Sequence, residues 1–157
     1  MKTLLAATVS CLLLGACATT SSVTTRTELV TLKGKPLTLE GAGVKVGQTA
    51  PDFTAVANDM TDKRLSDYRG KAVILSTVPS LETAVCDKET RTFNERASAL
   101  GANVVVITVS MDLPMTQKKW CGAAGIDRIV TLSDYKQRDV GRMYGLRIRE
   151  SGLLARA

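Results

Sequence analysis

From residue 30 onward, short β-branched apolar runs alternate with longer stretches of helical period. Val30-Thr31-Leu32 and Pro36-Leu37-Thr38-Leu39 alternate apolar and polar positions on either side of Gly34-Lys35, which predicts a small hairpin. Gly41, Gly43 and Gly47 then mark loop, residues 53–57 a short strand, and Leu65 to Gly70 a turn of helix closed by glycine. Residues 72–78 are apolar on both faces and β-branched, as expected of a central buried strand. A helix follows over residues 83–100, with Val85, Phe93, Ala97 and Leu100 as its inward stripe. Residues 103–109 give a second buried strand. Asp112 is the expected N-cap of a helix carrying Pro114 in its first turn and running to about residue 124. Residues 129–132 form a third strand, and residues 134–144 a helix ending at Gly145. Strand and helix in regular alternation predict an α/β layered sheet with parallel crossovers. No internal repeat is visible.

The amino end carries a different signal. Lys2 precedes an apolar run over residues 4–15, a signal-peptide length and short of the roughly 20 residues a spanning helix needs. The run ends in Leu14-Gly15-Ala16-Cys17, which resembles the lipobox of bacterial lipoproteins. That resemblance implies cleavage before Cys17, acylation of its sulfur, and a protein of the cell envelope, periplasmic in location and lipid-anchored; ordinary secretory cleavage would leave it soluble there. Residues 17–28, rich in Ser and Thr, read as a flexible tether, leaving residues 29–157 as the domain.

Composition narrows the chemistry. The chain has 157 residues, 45% apolar and 23% charged, enough for one compact domain. It contains no His, so a Cys-His protease, a Ser-His-Asp hydrolase and a histidine-bearing metal site are excluded. No CxxC pair exists to hold zinc. The formal charge is +6, but its 21 bases are interspersed with 15 acids and only 4% of residues are aromatic, so no nucleic-acid surface is indicated.

Of four cysteines, Cys11 leaves with the leader and Cys17 is taken by lipid. Cys86 and Cys121 remain, in an oxidising compartment where a disulfide persists, and two thiols suffice for one bridge. In such sheets ligands bind beyond the carboxyl ends of strands, which directs attention to Pro79-Ser80-Leu81-Glu82-Thr83-Ala84-Val85-Cys86. A cysteine in the first turn of a helix faces unpaired backbone N–H groups, which stabilise negative charge on sulfur. Thr83 lies close to one turn earlier, so its hydroxyl can face the same spot, and Pro79 can wall the site against water. A buried, inert cysteine at a helix start has the same local sequence.

Pro-x-x-x-Thr-x-x-Cys after a buried strand resembles the peroxidatic motif of the peroxiredoxins, and Ala50-Pro51-Asp52-Phe53 resembles that family's opening segment. Asp112-Leu113-Pro114, then Trp120-Cys121-Gly122, and the amino-terminal hairpin resemble the bacterial thiol peroxidases, its atypical two-cysteine branch. The likeness runs from about Val30 to Ala157. It implies a thioredoxin-like α/β fold, Cys86 as peroxidatic and Cys121 as resolving cysteine, Thr83 and Pro79 as supporting residues, and Arg156 as the arginine completing the pocket. It further implies reduction of hydrogen peroxide and organic hydroperoxides through a Cys86 sulfenic acid and a Cys86–Cys121 disulfide, recycling by thioredoxin or a similar donor, a homodimer, and no metal or organic cofactor.

Three departures from the family pattern stand out. Val78 and Ala84 replace the usual Phe and Gly, and Asp87 puts a carboxylate beside the nucleophile. The resemblance implies two more strands and a helix where this chain stops at Ala157, which suggests a fragment or a prematurely terminated reading frame rather than a genuinely shortened enzyme. Without the first of those strands, residues 72–78 become an open edge and Arg156 lies on a loose end. Two other readings share these residues: a thiol–disulfide oxidoreductase, although Cys86 and Cys121 form no CxxC, and a non-catalytic envelope lipoprotein stapled by Cys86–Cys121.

Overall fold

The computed structural model describes residues 23–157. The leader 1–16 and Cys17 lie outside the described residues. The hairpin is there, and longer than its alternation suggested. β1 (Thr25–Leu32) and β2 (Lys35–Glu40) pair antiparallel, and β1 reaches into the stretch 17–28 expected as tether. Arg26 explains the extension: its Nε donates to the Gly41 carbonyl at 3.1 Å and its Nη2 to that of Gly145. Lys33 and Gly34 make the turn with φ of 50° and 77°, the left-handed values a two-residue hairpin loop needs. A short strand that the sequence did not signal, β8 (Arg147–Ile148), pairs with β2 through Leu39–Ile148 and Glu40–Arg147.

The main sheet has five strands: β3 (Thr54–Ala57), β4 (Asp62–Arg64), β5 (Ala72–Thr77), β6 (Val104–Ser110) and β7 (Val130–Ser133). Their order is β4-β3-β7-β6-β5. β5, β6 and β7 run parallel, joined by crossovers through α1 (Ala84–Ala97) and α2 (Pro114–Ala124), while β3 and β4 add antiparallel. A single 3-10 turn spans Leu65–Tyr68. This is the α/β layering that the alternation predicts and the thioredoxin-like fold that the resemblance implies.

Four local expectations are corrected. β5 is not central: it lies at the sheet edge with Ile74 exposed, as the likeness to longer relatives anticipated, although Thr77 exchanges backbone bonds with Ala157 there. The inward stripe of α1 is Cys86, Thr90 and Asn94, while Val85 and Leu100 are exposed. α2 is capped at Leu113 without a side-chain bond, and the Asp112 carboxylate serves the neighbouring loop instead. The last helix, α3 (Asp139–Met143), is shorter than residues 134–144, because Arg138 takes a left-handed φ of 57°. The buried Asp134 carboxylate accepts from the amides of Val140 and Gly141 at 3.1 and 2.9 Å.

Burial splits by chemistry. Phe53, Ala55, Ile107, Val109, Leu132, Val140, Tyr144 and Leu154 form an apolar core on one face of the sheet. Side chains alternate along β6, so Ser110, which meets Gln117 of α2, marks the opposite face beneath the helices. That helix-covered side is rich in buried polar groups: Ser76, Thr108, Ser110 and Thr131 from strands, Thr90 and Asn94 from α1, Gln117 from α2. Gln117 Nε2 donates to Ser110 Oγ and the Leu132 carbonyl, both at 2.9 Å. The site therefore sits in a layer whose contact with the sheet is rich in polar groups.

Gly145, at φ 65°, is held against the loop after β2, and a Cβ there would lie 2.5 Å from the Gly43 nitrogen and 2.9 Å from its Cα. Gly145→Ala meets both a disfavoured backbone and a backbone clash, and is expected to destabilise the domain by about 3 kcal/mol in urea unfolding.

Candidate active site around Cys86

The site is built where β5 ends. Val78 N donates to the Val109 carbonyl at 2.9 Å, carrying the parallel ladder one residue past the strand. The loop then turns at Pro79 and Ser80, and Leu81 N donates to Asp112 Oδ2 at 2.8 Å, an oxygen that also accepts from Ser110 Oγ at 2.7 Å. Asp112 thus fixes the approach to α1 from the neighbouring strand. Thr83 is the N-cap, in extended conformation, and Cys86 falls in the first turn, where helix N–H groups lack intrahelical acceptors.

Cys86 is fully buried against Val78 and Leu81, with Trp120 packed on the cluster. Its Sγ accepts from Arg156 Nη2 at 3.3 Å. Arg156 is not on a loose end, contrary to expectation. Leu154 and Ala155 are buried, Ala155 N donates to the Leu146 carbonyl, and Thr77 exchanges both backbone bonds with Ala157 while its hydroxyl donates to the Ala155 carbonyl. These bonds hold the backbone on both sides of Arg156. Arg156 Nε also pairs with Glu89 Oε2 at 3.2 Å, and Ser76 Oγ donates to Glu89 Oε1 at 2.9 Å. The hydrogen bond to Cys86, more than any other influence, pushes the Arg156 pKa above its ordinary value.

The other expected residues are more dispersed. Thr83 is exposed and its hydroxyl donates to the Ser80 carbonyl at 3.2 Å rather than facing the sulfur. Pro79 is half-buried on the wall of a cavity of about 590 Å³, which Val30, Leu37, Leu153, Ala155 and Arg156 also line. Cys121 is buried on α2, its Sγ 3.3 Å from Thr131 Oγ1 and 3.8 Å from Asn58 Nδ2. Both cysteines are free thiols. Cys86 lies by the end of β5 and Cys121 by β7, with β6 between, so two strand spacings of roughly 10 Å separate them across the sheet. Asp87 is occupied by Arg91, whose Nε meets both its carboxylate oxygens at 3.0 and 2.9 Å.

The sequence reading missed Glu89, Ser76 and Arg91. Glu89 is one turn from Cys86 on the same side of α1, a spacing that could have flagged it; nothing local distinguishes Ser76. Asp112 was noticed for the wrong reason.

A cysteine at a helix mouth with a guanidinium on its sulfur, in a thioredoxin-like fold, defines a peroxiredoxin-class thiol site. The chain belongs to the AhpC/TSA family, whose pattern matches residues 46–157. It is 55% identical over 128 residues to the thiol peroxidase of Oceanobacillus iheyensis, covering 82% of this chain and 77% of that one. It is 51% identical over 128 residues to the thiol peroxidase of Bacillus subtilis, at 82% and 76% coverage. Among solved structures, a peroxiredoxin-like protein from Aquifex aeolicus superposes with a TM-score of 0.76 at 40% identity, over 83% of this chain and 76% of that one.

Because Glu89 holds Arg156 by one edge while the sulfur takes another, loss of either acts on Cys86. Arg156→Gln is expected to slow alkylation of Cys86 about tenfold and Glu89→Gln by less, read as second-order rates with iodoacetamide at neutral pH.

Proposed function

We propose that the chain is a peroxiredoxin-type peroxidase in which Cys86 reduces hydroperoxides. The observation that carries this reading is the Arg156 guanidinium, 3.3 Å from Cys86 Sγ at the first turn of α1. The guanidinium and the helix N-terminus both stabilise negative charge on the sulfur. The thiolate attacks one peroxide oxygen, the O–O bond breaks, and the distal oxygen leaves as water or alcohol once protonated. Cys86 becomes a sulfenic acid. The Arg156 donors not engaged by sulfur or Glu89 can orient the peroxide. In this reading the Thr83 hydroxyl turns from Ser80 toward the incoming oxygen, and Pro79 keeps water from it.

Cys121 then attacks the Cys86 sulfenic acid, giving a disulfide and water, and a thioredoxin-like donor reduces that bond. A disulfide needs Cα atoms within about 7 Å, so one or both helix ends unwind during turnover. The cavity beside Pro79 and Arg156, with Val30, Leu37 and Leu153 on its walls, suits an organic hydroperoxide as well as hydrogen peroxide. The sequence of residues 4–17 supports placement on the periplasmic side of the envelope, anchored through lipid on Cys17. Homodimer formation belongs to the same proposal and is supported by family resemblance alone.

One equivalent of peroxide added to reduced protein is expected to consume the thiols of both Cys86 and Cys121, mapped by peptide mass. Cys86→Ser consumes none, and Cys121→Ser stops at a trapped sulfenic acid. Insulin reduction without peroxide use would replace this reading with a thiol–disulfide oxidoreductase; inertness to both would leave a structural lipoprotein. For the anchor, Cys17→Ala is expected to lose label from radioactive palmitate and leave the membrane fraction, and retention of both would overturn it.

A further inference from the structure

Arg91 is absent from the chemistry above, yet it touches the surroundings of both cysteines. Its Nε holds the Asp87 carboxylate, next to Cys86, at 2.9 and 3.0 Å. Its Nη1 donates to the Ala124 carbonyl, in the last turn of the helix bearing Cys121, at 2.9 Å. Its guanidinium carbon lies 5.6 Å from the ring centroid of Trp120, the residue before Cys121. One turn along α1, Asn94 reinforces the second link: Nδ2 donates to the Gly125 carbonyl at 3.2 Å, and Oδ1 accepts from the amides of Asp127 and Arg128 at 3.1 and 2.8 Å.

These bonds divide the region into a fixed part and a releasable part. The middle of α1, through Arg91 and Asn94, is tied to the carboxyl end of α2 by bonds that do not involve the first turn. That first turn is held to the rest by the Asp87–Arg91 pair, the ordinary helix ladder, and the contacts of Cys86 itself with Arg156 and its apolar neighbours. Thr83, Ala84 and Val85 are exposed, so the turn gives up little apolar contact besides Cys86 itself when it unwinds. We propose that Arg91 is a positioning residue for disulfide formation: it holds the two cysteine-bearing helices together, and opening of its bond to Asp87 releases the first turn of α1 so that Cys86 swings to a stationary Cys121. This rests on the peroxidase reading and adds which helix moves and what restrains it.

The restraint sets a competition. A Cys86 sulfenic acid either condenses with the Cys121 thiol, giving a disulfide and water, or meets a second hydroperoxide, giving a sulfinic acid and an alcohol. The longer the Asp87–Arg91 bond keeps the turn wound, the more often the second peroxide arrives first.

Trp120 is the chain's single tryptophan, so its emission after mixing with peroxide reports both steps in stopped flow. Asp87→Asn and Arg91→Gln are each expected to speed the disulfide phase about twofold, since both remove the Asp87–Arg91 pair, with Arg91→Lys nearer the wild type. The peroxide-dependent first phase stays unchanged. The sulfinic fraction of Cys86 under excess peroxide, read as a 32 Da gain, falls in the same order. Raised salt speeds the wild-type disulfide phase toward that of Asp87→Asn and leaves the variant unmoved. A wild type that forms the disulfide at a rate neither Asp87→Asn nor Arg91→Gln alters overturns the proposal. So does acceleration by Asn94→Ala alone, which would make α2 the moving part. Asp87→Asn is isosteric and preserves the test even where Arg91→Gln fails to fold. A wild type that consumes no peroxide, or consumes it without a Cys86–Cys121 bond, instead overturns the reading on which this proposal rests.

Discussion

The site depends on one guanidinium being held between a sulfur and a carboxylate. Arg156 has its backbone fixed on either side by Ala155 and Ala157, both bonded to Thr77, so the side chain leaves the chain at a defined place and direction. Glu89 takes its Nε edge, and Ser76 fixes Glu89. Of the donors that remain, Nη2 meets Cys86. An arginine suits this position where a lysine would not, because a planar fork can serve an anchor and a reactive atom at once. It also keeps its charge at any working pH, which matters in a chain without histidine.

The layer that carries the chemistry is attached differently from the rest of the domain. On one side of the sheet Phe53, Ile107, Val109, Leu132 and Leu154 exclude water and supply stability through buried apolar area. On the other, Thr90, Asn94, Gln117, Ser110 and Thr131 meet at a polar seam, where the hydroxyls of Thr90 and Thr108 and Oε1 of Gln117 find no partner. Such groups add little net stability and cost something when unpaired. A helix layer on such a seam separates from its sheet more readily than one on a leucine stripe. That suits a reaction in which a helix end has to move while the core stays folded.

How far this was legible in the sequence follows from the range of each interaction. The alternation of β-branched runs with helical stretches is local and gave the α/β layering, and Cys86 at a helix mouth followed from one strand and one turn. Pairing is not local. The apolar pattern of residues 72–78 suggested a central strand, and only the likeness to longer relatives pointed to the edge that β5 occupies; nothing around Arg147 announces a two-residue strand against β2. Thr83 shows the limit of spacing arguments: it stands where expected, but rotation about one bond sends its hydroxyl to Ser80. The α1 stripe misled because the search was for apolar residues, whereas the buried face is Cys86, Thr90 and Asn94.

In the proposed mechanism, the separation of the two thiols keeps the two steps in order. A Cys121 thiol seated against Cys86 would crowd the place the peroxide has to enter, and no bridge can form until peroxide has oxidised Cys86. Across two strand spacings it leaves that place open. Cys121 is instead held by Thr131 and Asn58 on β7 and the β3–β4 turn, out of reach while α1 is wound. Cys86 meanwhile keeps Arg156 as its polar partner, an arrangement suited to an anionic sulfur and less to a neutral sulfenic acid, which carries an added oxygen into a pocket packed by Val78, Leu81 and Trp120. In the proposed mechanism, oxidation thus weakens the contacts of Cys86 at the moment when release of the first turn becomes useful. On that reading no separate signal is needed to tell the two steps apart, since the chemical state of one sulfur changes how well it fits where it lies.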